Sequence, residues 1–269
     1  MSLMSKCNIC GTEQTPIFTG LILHKYTIQY FQCPKCGFIS TEKPHWLEEA
    51  YSDAIADSDT GYAYRNLDFA KRVSRILKQN FKKDATFLDY GAGYGLFVRL
   101  MRDNGFNFHY YDLYCNNIFA KGLELPSNHS VDAYTALEVF EHLEDPTTEL
   151  ETMLKHTDTI IFSTVLRKED YTNINQWWYF TPETGQHIAI FTKESLAELA
   201  KKFNLYLYTN NKDIHILTKR RISWCSMKFD LLLSVIHQKI EKLMYRKRTS
   251  LLQMDYQEVK RKLSESSTK

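Results

Sequence analysis

The sequence contains no long hydrophobic run and no strong excess of charge. No apolar stretch approaches the ~18 residues that a membrane-spanning helix needs, so we expect no transmembrane segment. The N-terminus lacks a basic flank followed by an apolar centre, so it does not resemble a secretory signal, and we expect a cytoplasmic protein. The chain does contain 269 residues, of which 43% are hydrophobic and 14% are aromatic. This composition allows one large domain with a substantial core and smaller appendages.

The net charge of +2 hides two oppositely charged parts. Residues 219–269 hold 13 Lys or Arg and 5 Asp or Glu, whereas the remainder holds 21 basic and 27 acidic residues. An acidic body does not suit nonspecific binding of nucleic acid. Apolar residues at three- and four-residue steps predict an amphipathic helix in the basic tail, residues 220–269. A helix for packing or self-association and a helix for peripheral membrane contact both fit that pattern.

Four of the six cysteines form two C-x-x-C turns, CNICG and CPKCG, with 22 residues between them. In such a turn both thiolates point at one ion, and the glycine after the second cysteine relieves strain. The pair of turns predicts a structural zinc site, because a segment of ~40 residues could not hold a core without metal. We assign residues 4–43 to a zinc ribbon with a hairpin of short strands; a redox role for either turn is the alternative. The predicted zinc ligands are Cys7, Cys10, Cys33 and Cys36, and the remaining cysteines, Cys115 and Cys225, are expected to be ordinary buried thiols.

The segment from Phe87 to Tyr114 has the pattern of a strand, a glycine turn, a helix and a second strand. The turn contains three glycines at alternate positions, and the second strand ends at Asp112. A half-unit of this kind binds a nucleotide-like ligand, because glycines let the backbone approach it and the terminal acid accepts hydrogen bonds from ribose hydroxyls. A ligand-free tight turn and a surface acid are the simpler alternatives. The three glycines are Gly91, Gly93 and Gly95.

The turn lacks the third glycine of a dinucleotide-binding G-x-G-x-x-G, since its spacing is G-x-G-x-G. An acid, Asp89, also stands two residues before the turn, where it would be unfavourable beside a pyrophosphate. A ligand with a cationic sulfonium and an ammonium group would suit that acid better.

These residues resemble motif I of the class I S-adenosylmethionine-dependent methyltransferases, which is an acid followed by G-x-G-x-G. VDAYTALEVFEHLEDP, residues 131–146, resembles the strand-four motif of the branch whose signature ends in E-H-L and then D-P. YFTPETGQHIAIFTKESL, residues 179–196, resembles the late loop and helix of the same branch. The three motifs stand in the right order and span most of residues 85–205.

The resemblance implies an α/β fold, with a Rossmann-like methyltransferase sheet over residues 85–219 that ends in an antiparallel hairpin. It implies that the helical segment at 44–84 caps the cofactor pocket. It also implies that S-adenosylmethionine is the cofactor and that Asp112 holds its ribose. The further cofactor-binding residues that it implies are Asp89, Gly91, Gly93, Gly95 and Glu138. No adenine-contacting acid is recognisable between residues 113 and 130.

Methyl transfer by in-line displacement requires alignment and often a base for the acceptor's proton. His187 ends an aromatic loop, residues 177–187, on the side of the fold where the resembled enzymes bind acceptors, and we predict it as that base. His142 in EHLEDP is the second catalytic candidate. A core or loop-tethering role is the alternative for His187, and stabilisation of the loop through Glu141 is the alternative for His142. Helix capping is the alternative for Glu138. The aromatic residues of the loop could stack on a sugar ring or a planar acceptor, or they could form a hydrophobic plug.

The resembled branch includes enzymes of sugar and secondary-metabolite pathways, so we expect a small-molecule or glycan acceptor. An RNA methyltransferase with a docking ribbon is the alternative, but the stretch from Cys7 to Cys36 holds only two lysines and one glutamate. The segment at residues 131–146, which resembles the strand-four motif of that family, also lacks the Asn/Asp-Pro-Pro-aromatic motif used on exocyclic base amines. A catalytically inactive cofactor-binding module is the third hypothesis, against which the intact acids and glycines argue.

Overall fold

The computed structural model describes residues 6–51, 59–167, 177–223 and 251–266. Within these ranges the strands are β1 Thr15–Ile22, β2 Tyr26–Gln32, β3 Ile39–Thr41, β4 Thr86–Tyr90, β5 Asn107–Tyr111, β6 Ala133–Ala136, β7 Thr159–Ser163, β8 Ala189–Ile190, β9 Tyr206–Thr209 and β10 Ile214–Thr218. The helices are α1 Leu47–Ala50, α2 Tyr62–Asn80, α3 Leu96–Asp103, α4 Pro146–Met153, α5 Lys193–Lys202 and α6 Leu252–Ser266, with a short 3-10 helix at Phe140–His142.

Six strands form a mixed sheet in the order β5-β4-β6-β7-β10-β9. The first four run parallel, whereas β10 pairs antiparallel with both β7 and β9. Every residue of β6 and β7 is buried, as expected for central parallel strands that are covered on both faces. The predicted α/β class, with a parallel sheet that ends in an antiparallel hairpin, is therefore confirmed.

No strand forms between residues 113 and 130, all of which the structure describes. A single parallel bridge, Tyr110 to Glu124, lies beside β5 instead. The Tyr110 N–H donates to the Leu123 carbonyl at 2.9 Å, and the Leu125 N–H donates to the Tyr110 carbonyl at 3.0 Å. The edge of the sheet next to β5 is thus occupied by an irregular segment.

A second sheet joins the cysteine-rich segment to the rest of the chain. Its order is β1-β2-β3-β8, so the predicted hairpin gains a third strand and then a fourth from residues 189–190. The register pairs Ile39 with Ile190 and Ser40 with Ala189. The sequence did not indicate β8, because a two-residue strand has no periodicity of its own.

One hydrophobic cluster joins the cysteine turns to the parallel sheet. Cys7, Cys33, Cys36 and Phe38 are buried in the same cluster as Leu88, Phe140, Phe162 and Phe191. The Phe38 and Phe191 ring centroids are 5.0 Å apart, and the Phe140 and Phe162 centroids are 4.1 Å apart. The cysteine-rich segment therefore shares its core with the parallel sheet.

The chain divides into two compact units. The first holds residues 1–54 and 84–221, and therefore both sheets. The second holds residues 55–83 and 222–269. In the second unit, four of the apolar positions of α2 that the sequence predicts for the core, Ala70, Val73, Ile76 and Leu77, are buried, whereas the fifth, Leu67, is 59% exposed. The Asn80 side chain exchanges two hydrogen bonds with the Ser223 backbone.

The tail contains α6, but the apolar positions on which its predicted helix depended, residues 229–244, lie outside the described residues. Among the helices that the structure describes, none combines the length and the hydrophobicity needed to cross a membrane. That the segment at 44–84 caps the pocket stays a prediction.

Candidate functional site

The four predicted zinc ligands converge. Their sulfur atoms all lie within 4.8 Å of one another, with Cys7 Sγ 3.7 Å from Cys36 Sγ and Cys10 Sγ 3.4 Å from Cys33 Sγ. These separations exclude a disulfide, whose sulfurs are bonded at ~2.05 Å. They are close to the ~3.8 Å that a tetrahedral ion with ~2.3 Å Zn–S bonds imposes on its ligands.

The two C-x-x-C turns have the same backbone geometry. The Gly11 N–H donates to the Cys7 carbonyl at 2.8 Å, and the Gly37 N–H donates to the Cys33 carbonyl at 2.9 Å. Both glycines have φ near +70°, where a side chain would be strained. The hydrogen bond from the Cys36 thiol lowers the pKa of Cys7 to about 5. The donor set and its spacing therefore fit a four-thiolate zinc ion.

The glycine turn follows β4 at the carboxyl end of the parallel strands, where open α/β sheets bind their ligands. Gly91, Gly93 and Gly95 all have positive φ. An added Cβ would lie 2.7 Å from Val139 Cγ2 at Gly91 and 2.9 Å from Ala120 Cβ at Gly95. The turn is therefore closely packed between the segments that follow β5 and β6.

Asp112 lies immediately after β5 and fastens this turn. Its carboxylate accepts hydrogen bonds from the backbone N–H groups of Gly93 at 2.8 Å, Tyr114 at 2.8 Å and Cys115 at 2.7 Å. Since a carboxylate has about four acceptor sites, it retains capacity for a ribose hydroxyl. Sequence reasoning paired Asp112 with the glycines, and the structure brings them into contact.

Asp89 is buried within β4, with 3% of its surface exposed. It accepts a hydrogen bond from the Thr135 hydroxyl at 2.5 Å. Burial, helped by repulsion from Asp112, raises its pKa to about 7 despite that hydrogen bond. A carboxyl group in this state would gain from a nearby cation, which is the property that the sequence argument assigned to it.

Glu138 is the second residue after β6, at the same edge of the sheet as Asp112. Its φ is +56°, an uncommon conformation for a residue other than glycine, and such strain often marks functional sites. The Ser163 hydroxyl donates to the Glu138 carboxylate at 2.6 Å and accepts from the Glu138 N–H at 2.6 Å. Glu138 is thus held by β7 and does not cap a helix with this carboxylate; Asp145 is the N-cap of α4.

The two catalytic candidates, His142 and His187, lie side by side although they are 45 positions apart in the sequence. Their ring centroids are 5.1 Å apart. The His187 Nδ1 lies 2.7 Å from the Tyr179 carbonyl oxygen, and the His142 Nδ1 lies 2.6 Å from the Tyr51 hydroxyl. The sequence named both histidines but gave no reason to pair them.

Two further residues complete this cluster. Glu141 is fully buried, and its carboxylate lies within 4.8 Å of a ring nitrogen of each histidine. Burial first, and then repulsion from Glu138, raises its pKa well above the usual value. Tyr51 connects the cluster to the segment after β5, because its hydroxyl contacts His142 and its ring stacks at 5.6 Å on Tyr114, whose N–H is bonded to Asp112. Sequence reasoning treated Glu141 only as a stabilising neighbour of His142 and missed Tyr51.

The aromatic loop divides into two parts. Trp177, Tyr179 and Phe180 are buried in a cluster with residues of β1, β2 and α1, as expected for a hydrophobic plug. Trp178 is 69% exposed. Of the loop, Trp178 is therefore the ring that is open to solvent.

One other feature lies away from this chemistry. An open depression at the amino ends of the strands is lined by Thr86, Ser130, Val131, Asp132, Asp158 and Arg220, on the edge opposite to the glycine turn. Cys115 is half-buried, and burial raises the pKa of its thiol to about 12. Cys225 lies outside the described residues.

A family model for a methyltransferase domain matches residues 62–210. The chain belongs to this methyltransferase family. Residues 62–210 are accordingly a methyltransferase domain, and the residues between β4 and β9 that build the glycine turn and the histidine cluster fall within this range. No curated protein matches the sequence significantly.

Solved structures with partial likeness include three methyltransferases. An O-methyltransferase family protein from Burkholderia thailandensis is 10% identical, with a TM-score of 0.46 over 65% of this chain and 63% of that chain. Magnesium protoporphyrin IX methyltransferase from Synechocystis PCC 6803 is 13% identical, with a TM-score of 0.41 over 64% and 90%. CalO1, a methyltransferase in calicheamicin biosynthesis, is 15% identical, with a TM-score of 0.42 over 64% and 61%. This chain thus spans less than two thirds of the first and third, and at these values the likenesses carry no argument about cofactor or acceptor.

Proposed function

We propose that this methyltransferase uses S-adenosylmethionine to methylate a small molecule, in particular a sugar, glycan or secondary-metabolite intermediate. One observation carries the proposal. The Asp112-bound glycine turn and the His142–His187 pair lie at the same edge of the sheet. Tyr51 links the two regions, because it contacts His142 and stacks on Tyr114, whose N–H is bonded to Asp112. This arrangement supports a cofactor region and an acceptor region side by side.

The residues of the cofactor region fit S-adenosylmethionine. Asp112 would accept from the ribose hydroxyls, and the buried Asp89 lies where a cationic group would offset its desolvation. Gly91 and Gly95 keep the turn free of side chains that would collide with Val139 and Ala120. When bound, the cofactor supplies an electrophilic methyl group.

The acceptor region would activate the nucleophile. A hydroxyl group is a weak nucleophile while it keeps its proton, so the cluster must ease the loss of that proton. The carbonyl oxygen of Tyr179 can only accept, so the 2.7 Å contact requires a proton on Nδ1 of His187. A neutral His187 then has its lone pair on Nε2, which supports its role as the acceptor-side base.

We further propose that the four cysteines hold a structural zinc ion and that the ribbon supports the acceptor region. The Asn8 amide donates to the Glu144 carbonyl at 2.9 Å, just after His142. The Thr41 N–H donates to the Ile188 carbonyl at 3.2 Å, just after His187. The segments that carry both histidines are thus bonded to the ribbon, which favours a supporting role over RNA docking.

The acceptor class can be tested with methyl-labelled S-adenosylmethionine and fractionated host extract, with and without ribonuclease. We expect label in a ribonuclease-resistant small-molecule, lipid-linked or glycan fraction. His187→Gln should lower the incorporation at least tenfold, whereas His129→Gln, at an exposed position, should not change it. Label that disappears with ribonuclease would establish the RNA alternative. Cofactor binding without label in any fraction would favour the inactive module.

A further inference from the structure

The cluster at the acceptor region has the composition of a metal site. Glu141, His142 and His187 each offer a ligand atom, and these atoms all lie within 4.8 Å of one another. Two ligands on opposite sides of an ion with bonds of ~2.1 Å are ~4 Å apart, so a small adjustment would let all three reach one ion. Two imidazoles and one carboxylate are a recurrent donor set for catalytic divalent metals, in which further coordination positions remain open.

Glu141 provides an independent observation. It is fully buried, and neither carboxylate oxygen makes a hydrogen bond to any part of the chain that the structure describes. The hydroxyl groups of Thr164 and Tyr179 lie near the carboxylate and lower its pKa, but neither reaches hydrogen-bond geometry and burial outweighs their effect. Buried polar groups are normally satisfied, so a buried carboxyl without a hydrogen bond that faces two histidines calls for a partner that is absent from the protein itself.

The orientation of His187 fits the same partner. Histidines that bind metals usually donate their other ring N–H to a backbone carbonyl or a carboxylate, which fixes the tautomer. His187 Nδ1 makes this contact with the Tyr179 carbonyl oxygen, and Tyr179 packs against the imidazole with centroids 4.5 Å apart. Tyr51 supports His142 in a similar way through its Nδ1.

We propose that Glu141, His142 and His187 bind one divalent first-row transition-metal cation, which holds an oxygen of the methyl acceptor. This inference rests on the proposed function. The cation's charge would lower the pKa of a bound acceptor hydroxyl, whose proton would pass to solvent water. His187 is then a ligand of the cation and not the base. The acceptor would carry a hydroxyl group and a neighbouring oxygen atom, so that both can chelate the cation.

The test uses Co²⁺, added to full-length protein brought to one Zn²⁺ per chain, so that the four-cysteine site is filled and the second site is left open. Calorimetry and visible absorption would follow binding. We expect one Co²⁺ per chain, with the weak absorption of nitrogen and oxygen ligands and no thiolate charge-transfer bands. Glu141→Gln and His187→Gln should weaken binding at least tenfold. The matched exposed controls, Glu144→Gln and His129→Gln, should bind as the wild type does.

S-Adenosylhomocysteine binding, measured on the same variants, separates the two proposals. Unchanged binding in Glu141→Gln would show that its loss of Co²⁺ reflects a missing ligand and not unfolding. If the wild type binds S-adenosylhomocysteine but no Co²⁺, or if Glu141→Gln binds Co²⁺ normally, the cation site is wrong and His187 as a direct base stands. Failure of the wild type to bind S-adenosylhomocysteine would instead overturn the proposed function.

Discussion

At the residue scale, buried ionisable groups fall into two classes. His215 is fully buried, yet both ring nitrogens are satisfied. Its Nε2–H donates to the Thr164 carbonyl at 2.9 Å, and its Nδ1 accepts from the Thr209 hydroxyl at 2.8 Å. Glu141 is equally buried, but neither oxygen of its carboxylate makes a hydrogen bond to any described residue. This contrast is why His215 is assigned to the core and Glu141 to the site.

The pH dependence of the free energy of unfolding should reveal that His215 is buried in its neutral form. Burial lowers its pKa from 6.5 to about 4, so the unfolded chain takes up a proton at a higher pH than the folded chain. The contribution of neutral His215 to the free energy of unfolding is fully present above pH 6.5. About 3 kcal/mol of that free energy is lost as the pH falls towards 4. His215→Gln cannot titrate, so denaturant unfolding should show a smaller loss of stability on acidification for the variant. Equal losses for both proteins would contradict this assignment.

Sequence reasoning at this scale succeeded where one local pattern contains the chemistry. The cysteine turns and the glycine turn could be recognised because each is a short motif with fixed spacing. It gave no role to Tyr51 and only a supporting one to Glu141, because their importance depends on contacts with residues distant in the chain. The pairing of His142 with His187 was hidden for the same reason.

At the element scale, the glycine turn shows how a backbone conformation and close packing act together. Gly91 and Gly105 both have φ above +70°, so alanine at either position bears a similar conformational cost of about 1–2 kcal/mol. An added Cβ meets nothing within 4 Å at Gly105 but lies 2.7 Å from Val139 Cγ2 at Gly91. The two substitutions therefore separate strain from steric overlap.

We expect Gly91→Ala to lose about 1–3 kcal/mol more free energy of unfolding than Gly105→Ala, because the Val139 side chain must move. Gly91→Ala should also weaken binding of S-adenosylhomocysteine, whereas Gly105→Ala should not. Denaturant unfolding and calorimetry on both variants would check this. Equal effects of the two substitutions on stability and binding would show that the turn is not closely packed.

The strands followed the sequence prediction wherever burial imposes a clear pattern. The two central strands, β6 and β7, are buried throughout, and the antiparallel pair β9 and β10 is joined by a short turn. By contrast, β8 has only two residues and forms because β3 offers it an edge. Such a strand is defined by its partner and could not be predicted locally.

At the scale of the whole molecule, the cysteine-rich segment belongs to the same unit as the methyltransferase sheet. It shares a core with that sheet, and it bonds to the segments that carry His142 and His187. The sequence predicted a separate ribbon because a C-x-x-C pair is recognised on its own. Only the tertiary structure shows that hydrogen bonds from the Asn8 side chain and the Thr41 backbone join this segment to those that carry the histidines.

The central claim is that the glycine turn and Asp112 bind the adenosyl cofactor. Calorimetric titration of the wild type with S-adenosylhomocysteine tests it most directly, with Asp112→Ala and the exposed control Asp103→Ala alongside. We expect one site per chain, unchanged affinity for Asp103→Ala, and a loss of about 1–3 kcal/mol for Asp112→Ala, because ribose hydroxyls would be left without their acceptor. A wild type that binds no S-adenosylhomocysteine, or an Asp112→Ala variant that binds it as tightly as the wild type, would contradict the account.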